Sequence, residues 1–142
     1  MEREELKKKI TEVLDRSPLG SVATIKDGRP WVRYMMLRHD EDLNCFAATF
    51  FKSRKIEQIE KDKNVHVTVG GNPKNLELDY INIQAVAEVK TDIETKKKSW
   101  DDFLAQFFSG PEDPDYAVIK ISPEVIEYMA PGAHEPEIYT VE

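Results

Sequence analysis

The sequence is poor in the residues that build metal and redox centres: of 142 residues, one is cysteine, Cys45, and three are histidine, His39, His66 and His134. A single cysteine excludes an internal disulfide and fits a reducing compartment. The histidines share no ligand spacing and Cys45 has no C-x-x-C partner, so no metal site is expected. Cys45 itself lies inside a strand pattern, where a small buried thiol and a reactive nucleophile are both open readings. Glycine is sparse, at six residues, and none forms a Walker loop, a G-x-G-x-x-G turn or a G-x-S-x-G elbow. No apolar run approaches the ~20 residues that a spanning helix needs, and Met1 to Arg16 is too charged for a secretory signal; the expected location is cytoplasmic. Positive charge is also in deficit, 20 basic residues against 27 acidic ones, for a net charge of -7. That balance argues against general binding to nucleic acid or to an anionic membrane. Any anion site must be a local exception.

What is present is the composition of one folded domain, 40% hydrophobic and 33% charged, without repeats or low-complexity segments. Residues 2–16 carry Leu6, Ile10, Val13 and Leu14 as one apolar stripe on a charged helix. Gly20 to Lys26 and Pro30 to Arg38 form a hairpin around Asp27-Gly28. The return strand has large apolar residues on both faces, so one face is expected to meet a barrel interior and the other a ligand or a second subunit. Arg33 in its middle needs an anionic partner, unless it pairs with an acidic side chain or points to solvent at a sheet edge. Strands are further expected over Leu43–Phe50, Val65–Val69, Leu76 to about Lys90 and Tyr116–Ile121, with Glu124 to Met129 able to extend the last. A helix over Asp92–Phe108 places Trp100, Phe103, Leu104, Phe107 and Phe108 on one stripe, either as a lid over the core or as a wall for a flat aromatic ligand. From Ala130 onward an irregular tail is expected, able to reach a neighbouring subunit. An antiparallel barrel flanked by helices fits this order better than a doubly wound sheet.

The most informative stretch is Leu43 to Lys61, which passes from strand through a short turn into a helix headed by Ser53-Arg54-Lys55. Helix starts leave N–H groups unpaired and carry the positive end of the dipole, so a phosphate placed there gains hydrogen bonds and favourable charge together. Two cations in a first turn oppose the dipole unless an anion sits nearby. A plain N-cap with two solvated charges is the competing reading.

Taken together, several motifs resemble those of the pyridoxamine 5'-phosphate oxidase-related flavoproteins. They are Asp27-Gly28-Arg29-Pro30 followed by Arg33-Tyr34-Met35, then Thr49 and Ser53-Arg54-Lys55, then Tyr80-Ile81-Asn82-Ile83 with Ala87-Glu88-Val89. The Trp100 to Leu104 segment, the Gly110 to Asp115 turn and Glu127-Tyr128 are similar to the general stress protein 26 branch. The resemblance runs from about Gly20 to Tyr128, and it is specific in the order and spacing of its parts. It implies a mainly β fold, a six-stranded antiparallel split barrel with flanking helices, assembled as a homodimer with FMN in a groove between subunits. It also implies that Arg33, Tyr34, Met35 and Met36 line the flavin, and that Thr49, Ser53, Arg54 and Lys55 hold the phosphate. Tyr80 and Asn82 would complete the site from the second subunit, with Trp100 and Phe108 as covers of the ring. Two departures stand out. Ala47-Ala48 and Phe50-Phe51-Lys52 replace residues often more polar or aromatic in the family, and the C-terminal Trp and Arg-x-His segment that grips vitamin B6 phosphates has no counterpart. Arg38 is the only trace of a substrate-side cation. The expectation is an FMN-dependent oxidoreductase of a small molecule other than a B6 vitamer, its catalytic residues unknown. A non-catalytic flavin-binding or sensing stress protein and an F420-binding reductase are the alternatives.

Overall fold

The computed structural model describes residues 1–72, 74 and 78–142. Its elements are α1 (Arg3–Arg16), β1 (Leu19–Lys26), β2 (Arg29–Met36), β3 (Arg38–His39), β4 (Cys45–Phe50), α2 (Arg54–Lys61), β5 (Asn64–Gly70), β6 (Tyr80–Lys90), α3 (Ile93–Lys98), a 3-10 turn (Asp102–Gln106), β7 (Tyr116–Met129) and β8 (Glu137–Thr140). All eight strands belong to one curled sheet in the order β2-β1-β5-β6-β7-β4-β3, with β8 paired to β7. Every pairing is antiparallel. The mainly β split-barrel expectation holds, with eight strands in place of six. The additions are short: β3 separates from β2 where the Leu37 N–H turns to the Pro18 carbonyl, and β8 forms within the stretch expected to be irregular.

The strands form because their side chains alternate between a dry interior and an outer face. One interior row runs Arg33, Val22, Val67, Ile83, Ile126 across five strands. Its four aliphatic members are buried, each stabilising the fold by roughly 1.5–3 kcal/mol. Arg33 is the one charged member. The hairpin between β1 and β2 closes on Asp27 and Gly28, at φ 51 and 74, the left-handed pair that a two-residue turn matching strand twist requires. Helix α1 packs its predicted stripe, all four residues buried, against β5, β6, β7 and β8. Gly70 lets it approach: a Cβ there would lie 2.8 Å from Val13 and 2.9 Å from the Asp79 carbonyl.

Three expectations are corrected. The strand expected from Leu76 starts at Tyr80; Leu76 and Glu77 lie outside the described residues. The turn expected at Ser122-Pro123 does not form, because β7 runs on through it to Met129, the extension that the sequence allowed. Gln84 faces Val125 and Ala85 faces Pro123, so Glu124 is an extra residue in a bulge, a position that tolerates a proline without an N–H. The single helix over Asp92–Phe108 is two pieces. Asp92 caps the first by accepting from the Thr95 N–H, and Asp101 caps the second by accepting from the Phe103 N–H. A second N-cap restarts the chain in a new direction. Phe103 and Phe107 therefore turn outward, while Trp100, Leu104 and Phe108 pack with Tyr116, Val118, Phe46 and Ala48 as a separate layer outside the sheet.

Candidate functional site: a cation seat at the start of α2

Strand β4 points Cys45, Ala47 and Thr49 toward the barrel interior, and the turn after Phe50 returns the chain so that α2 starts beside Thr49. Ser53 occupies the N-cap position with extended backbone, yet its hydroxyl does not cap the helix. It lies 3.2 Å from Thr49 Oγ1 instead, and Lys55 Nζ donates to both hydroxyls, at 2.9 Å to Thr49 and 3.4 Å to Ser53. The Arg54 and Lys55 N–H groups have no partner among the described residues. Uncapped N–H groups, two hydroxyls and an ammonium thus converge on one spot.

Arg33 approaches from β2. Its Nη1 donates to Thr24 Oγ1 at 2.7 Å and to the Trp31 and Val22 carbonyls, and its Nη2 donates to Gln58 Oε1 at 3.0 Å. All these acceptors are uncharged. No carboxylate forms an ion pair with Arg33, Arg54 or Lys55 among the described residues. The expected alternative of an acidic partner for Arg33 is not what the structure contains. Burial, and after it the neighbouring Arg54, lowers the Arg33 pKa. Burial, then Arg33 and Arg54, pulls the Lys55 ammonium below its ordinary value. Arg54 thus raises the cost of charge on Arg33, and both arginines raise it on Lys55, which an incoming anion would relieve.

Of the residues named from the sequence, Arg33, Thr49, Ser53, Arg54 and Lys55 meet here. Tyr34 and Met36 do not: strand alternation turns them to the outer face, where they are 74% and 56% exposed. Met35 returns to the core. Tyr34 heads an outer row that continues through Ser21, Thr68 and Asn82, so Asn82 lies three strands away, about 14 Å at the usual strand spacing. Asn82 accepts a hydrogen bond from Thr68 at 2.8 Å, and Tyr80 is half-buried on the same strand face. Neither reaches the seat within one protomer. Trp100 and Phe108 belong to the aromatic layer on the opposite side of β4 from Thr49, Trp100 edge-on to Tyr116 and Phe108 against Tyr116 and Phe50.

Thr24 and Gln58 are polar residues of the site that the sequence reading passed over. A signal existed for each. Thr24 shares the inward face of β1 with Val22, and Gln58 sits between the buried Ile56 and Ile59 on α2. Cys45 is buried in the core, its thiol pushed up to about 12 by burial and then by Asp40, which removes it as a nucleophile. No group of His, Cys, Asp and Glu side chains suited to a metal occurs among the described residues.

The order of these parts along the chain is matched in known proteins. The pyridoxamine 5'-phosphate oxidase family model matches residues 6–130. The chain belongs to this family. It is 33% identical over 136 residues to general stress protein 26 of Bacillus subtilis, covering 96% of each. The crystal structure of general stress protein 26 from Bacillus anthracis superposes with a TM-score of 0.82 at 34% identity, over 96% of this chain and 98% of that one. A Clostridium acetobutylicum protein related to general stress protein 26 has the same TM-score of 0.82 at 19% identity, covering 97% and 96% of the two chains; at that identity the likeness is one of fold.

Proposed function

We propose that the chain is a cytoplasmic, FMN-binding homodimer that acts as an oxidoreductase on a small molecule. The observation that supports this most is the cluster of Arg33, Arg54 and Lys55 at an uncapped helix start, without a carboxylate, in a protein of net charge -7. A dianionic phosphate matches this donor set: N–H groups from the helix, hydroxyls from Thr49 and Ser53, and the charges of the cations. FMN, when bound, supplies hydride chemistry at its flavin ring. The protein's own part is grip and orientation. Lys55 and Ser53 hold the phosphate, Arg54 and Arg33 add charge at its edge, and the buried wall formed by Thr24 and Gln58 keeps Arg33 in place.

The outer face of β1 and β2 supports the homodimer reading. Val32, Tyr34, Met36 and Leu19 are each at least half exposed, a contiguous apolar surface on an edge strand that monomers seldom leave open. In this reading a second copy covers it, and Tyr80 and Asn82 of the partner subunit complete the flavin groove with Tyr34 and Met36. Trp100 and Phe108 then serve as a wall behind β4 instead of as covers of the ring. The groups at the seat are hydroxyls, an amide and cations suited to gripping a phosphate, with no carboxylate paired to the cations among the described residues, and that observation keeps flavin binding or sensing without turnover as the second reading.

An absorbance scan of freshly purified protein, with mass spectrometry of whatever denaturation releases, tests the proposal. A flavin spectrum and the mass of FMN are expected, and the mass also separates FMN from F420. Colourless protein that ignores added FMN in a titration contradicts it. Reduction of the bound flavin by NADH or NADPH, followed by reoxidation, separates the enzyme from the binding protein.

A further inference from the structure

Two other arginines are fixed by carboxylates, Arg16 by Asp79 at 2.6 Å and Arg38 by Asp101, while Arg3 donates to the Thr140 carbonyl and lies over the Tyr139 ring. At Arg33 the same task falls to an amide and a hydroxyl. Gln58 Oε1 accepts from Arg33 at 3.0 Å and from the Thr24 hydroxyl at 2.5 Å, which uses both lone pairs of that oxygen. Thr24 Oγ1 in turn accepts from Arg33 at 2.7 Å. Both side chains are buried, 1% and 7% exposed. Arg33 is left with its Nε–H and one Nη2 hydrogen unpartnered among the described residues.

A carboxylate at position 58 would make a stronger hydrogen bond to Arg33, and it would also cancel a positive charge that the seat otherwise keeps. An amide oxygen directs the guanidinium equally well and cancels nothing. We infer that Gln58, together with Thr24, is a positioning residue for the phosphate seat: it aims Arg33 while remaining neutral, so that the full charge of the cluster is available to a dianionic phosphate. The inference rests on the phosphate-binding reading above and adds to it the residue that sets the charge of the seat.

The test compares FMN with riboflavin, which has the same ring and no phosphate, in the full-length wild type and in Gln58→Glu, with melting temperatures of the unliganded proteins as a control. Gln58→Glu is expected to weaken FMN by roughly ten- to hundredfold, the effect of one added charge near the ligand. Riboflavin affinity should stay within about threefold, since no phosphate is present to be repelled. The unliganded melting temperature should hold or rise, because the new carboxylate pairs with Arg33. An FMN affinity unchanged in Gln58→Glu overturns the inference. So does a parallel loss of FMN, riboflavin and thermal stability, which marks Gln58 as merely structural. Should Gln58→Glu fail to fold, Thr24→Val carries the test: a reduced preference for FMN over riboflavin is expected, and an unchanged preference overturns the inference. Failure of the wild type to prefer FMN over riboflavin is a separate result that removes the underlying reading.

Discussion

Two sets of cations sit against this protein's surface, and they are treated in opposite ways. Arg16 is paired with Asp79, which also accepts a hydrogen bond from Tyr128; Arg38 is paired with Asp101, Lys61 with Glu57 and Lys90 with Glu88 and Asp92. Arg33 and Lys55 hydrogen-bond only to hydroxyls, carbonyls and an amide, and Arg54, exposed at the head of α2, forms no ion pair among the described residues. The contrast is not a shortage of acids, of which the chain has 27. Pairing satisfies a charge for the sake of the fold; leaving three cations together without a counter-ion costs the fold stability, a cost that a bound anion would recover. Under the proposed function, the difference separates the cations that serve structure from those that would serve a ligand.

The largest effect that would break this contrast is expected from Arg54→Ala with Lys55→Ala. FMN affinity should fall by at least about a hundredfold, the loss of two charge-assisted contacts, while the unliganded protein melts no lower than wild type; fluorescence titration and thermal melts measure both. Next comes the outer face. Val32→Glu with Tyr34→Glu places charge on a surface now 66% and 74% exposed, and sedimentation should report a monomer that also binds FMN more weakly. A persistent dimer would remove the proposed role of this face. Smaller still is the effect of deleting a paired cation. Arg16→Ala should lower the melting temperature by about 2–5 °C, as expected for a partly exposed ion pair, and leave FMN affinity within about twofold, since Arg16 belongs to the set that serves the fold.

The smallest predicted effect has a sign that depends on the ligand. Because the folded-state pKa of Lys55 is lowered from 10.5, the unfolded chain binds more protons than the native one in the window just below that value. Stability of the unliganded protein therefore rises with pH there through this group. Bound phosphate favours the protonated ammonium, so in the FMN complex the same window should bring a loss of affinity. Melting curves of wild type minus Lys55→Met, with and without FMN, measure the two slopes. Slopes of equal sign would show that Lys55 does not contact the anion.

How much of this was legible in the sequence depends on the range of the interaction involved. The seat was legible because its logic is local: strand, turn and helix start occupy Cys45 to Lys61, and the conflict between two first-turn cations and the helix dipole is visible without any distant residue. The stripe of α1 and the Asp27-Gly28 hairpin were legible for the same reason. The break between α3 and the 3-10 turn was not, because helical periodicity through Trp100 and Phe108 outweighed the cap signal of Asp101. β8 was missed because Glu137–Thr140 becomes a strand only by pairing with the far half of β7. Thr24 and Gln58 were passed over for a related reason. A polar residue within an apolar pattern has no evident partner until the fold brings Arg33 to both, 9 residues from one and 25 from the other.

A crystal structure of the protein grown with excess FMN tests the central claim most directly. The phosphate should lie at the start of α2, within hydrogen-bond distance of the Lys55 ammonium, the Ser53 hydroxyl and the first N–H groups of the helix, with Arg33 and Arg54 at its edge. FMN bound elsewhere, or a phosphate absent from that corner with Arg54 and Lys55 directed into solvent, would contradict the account.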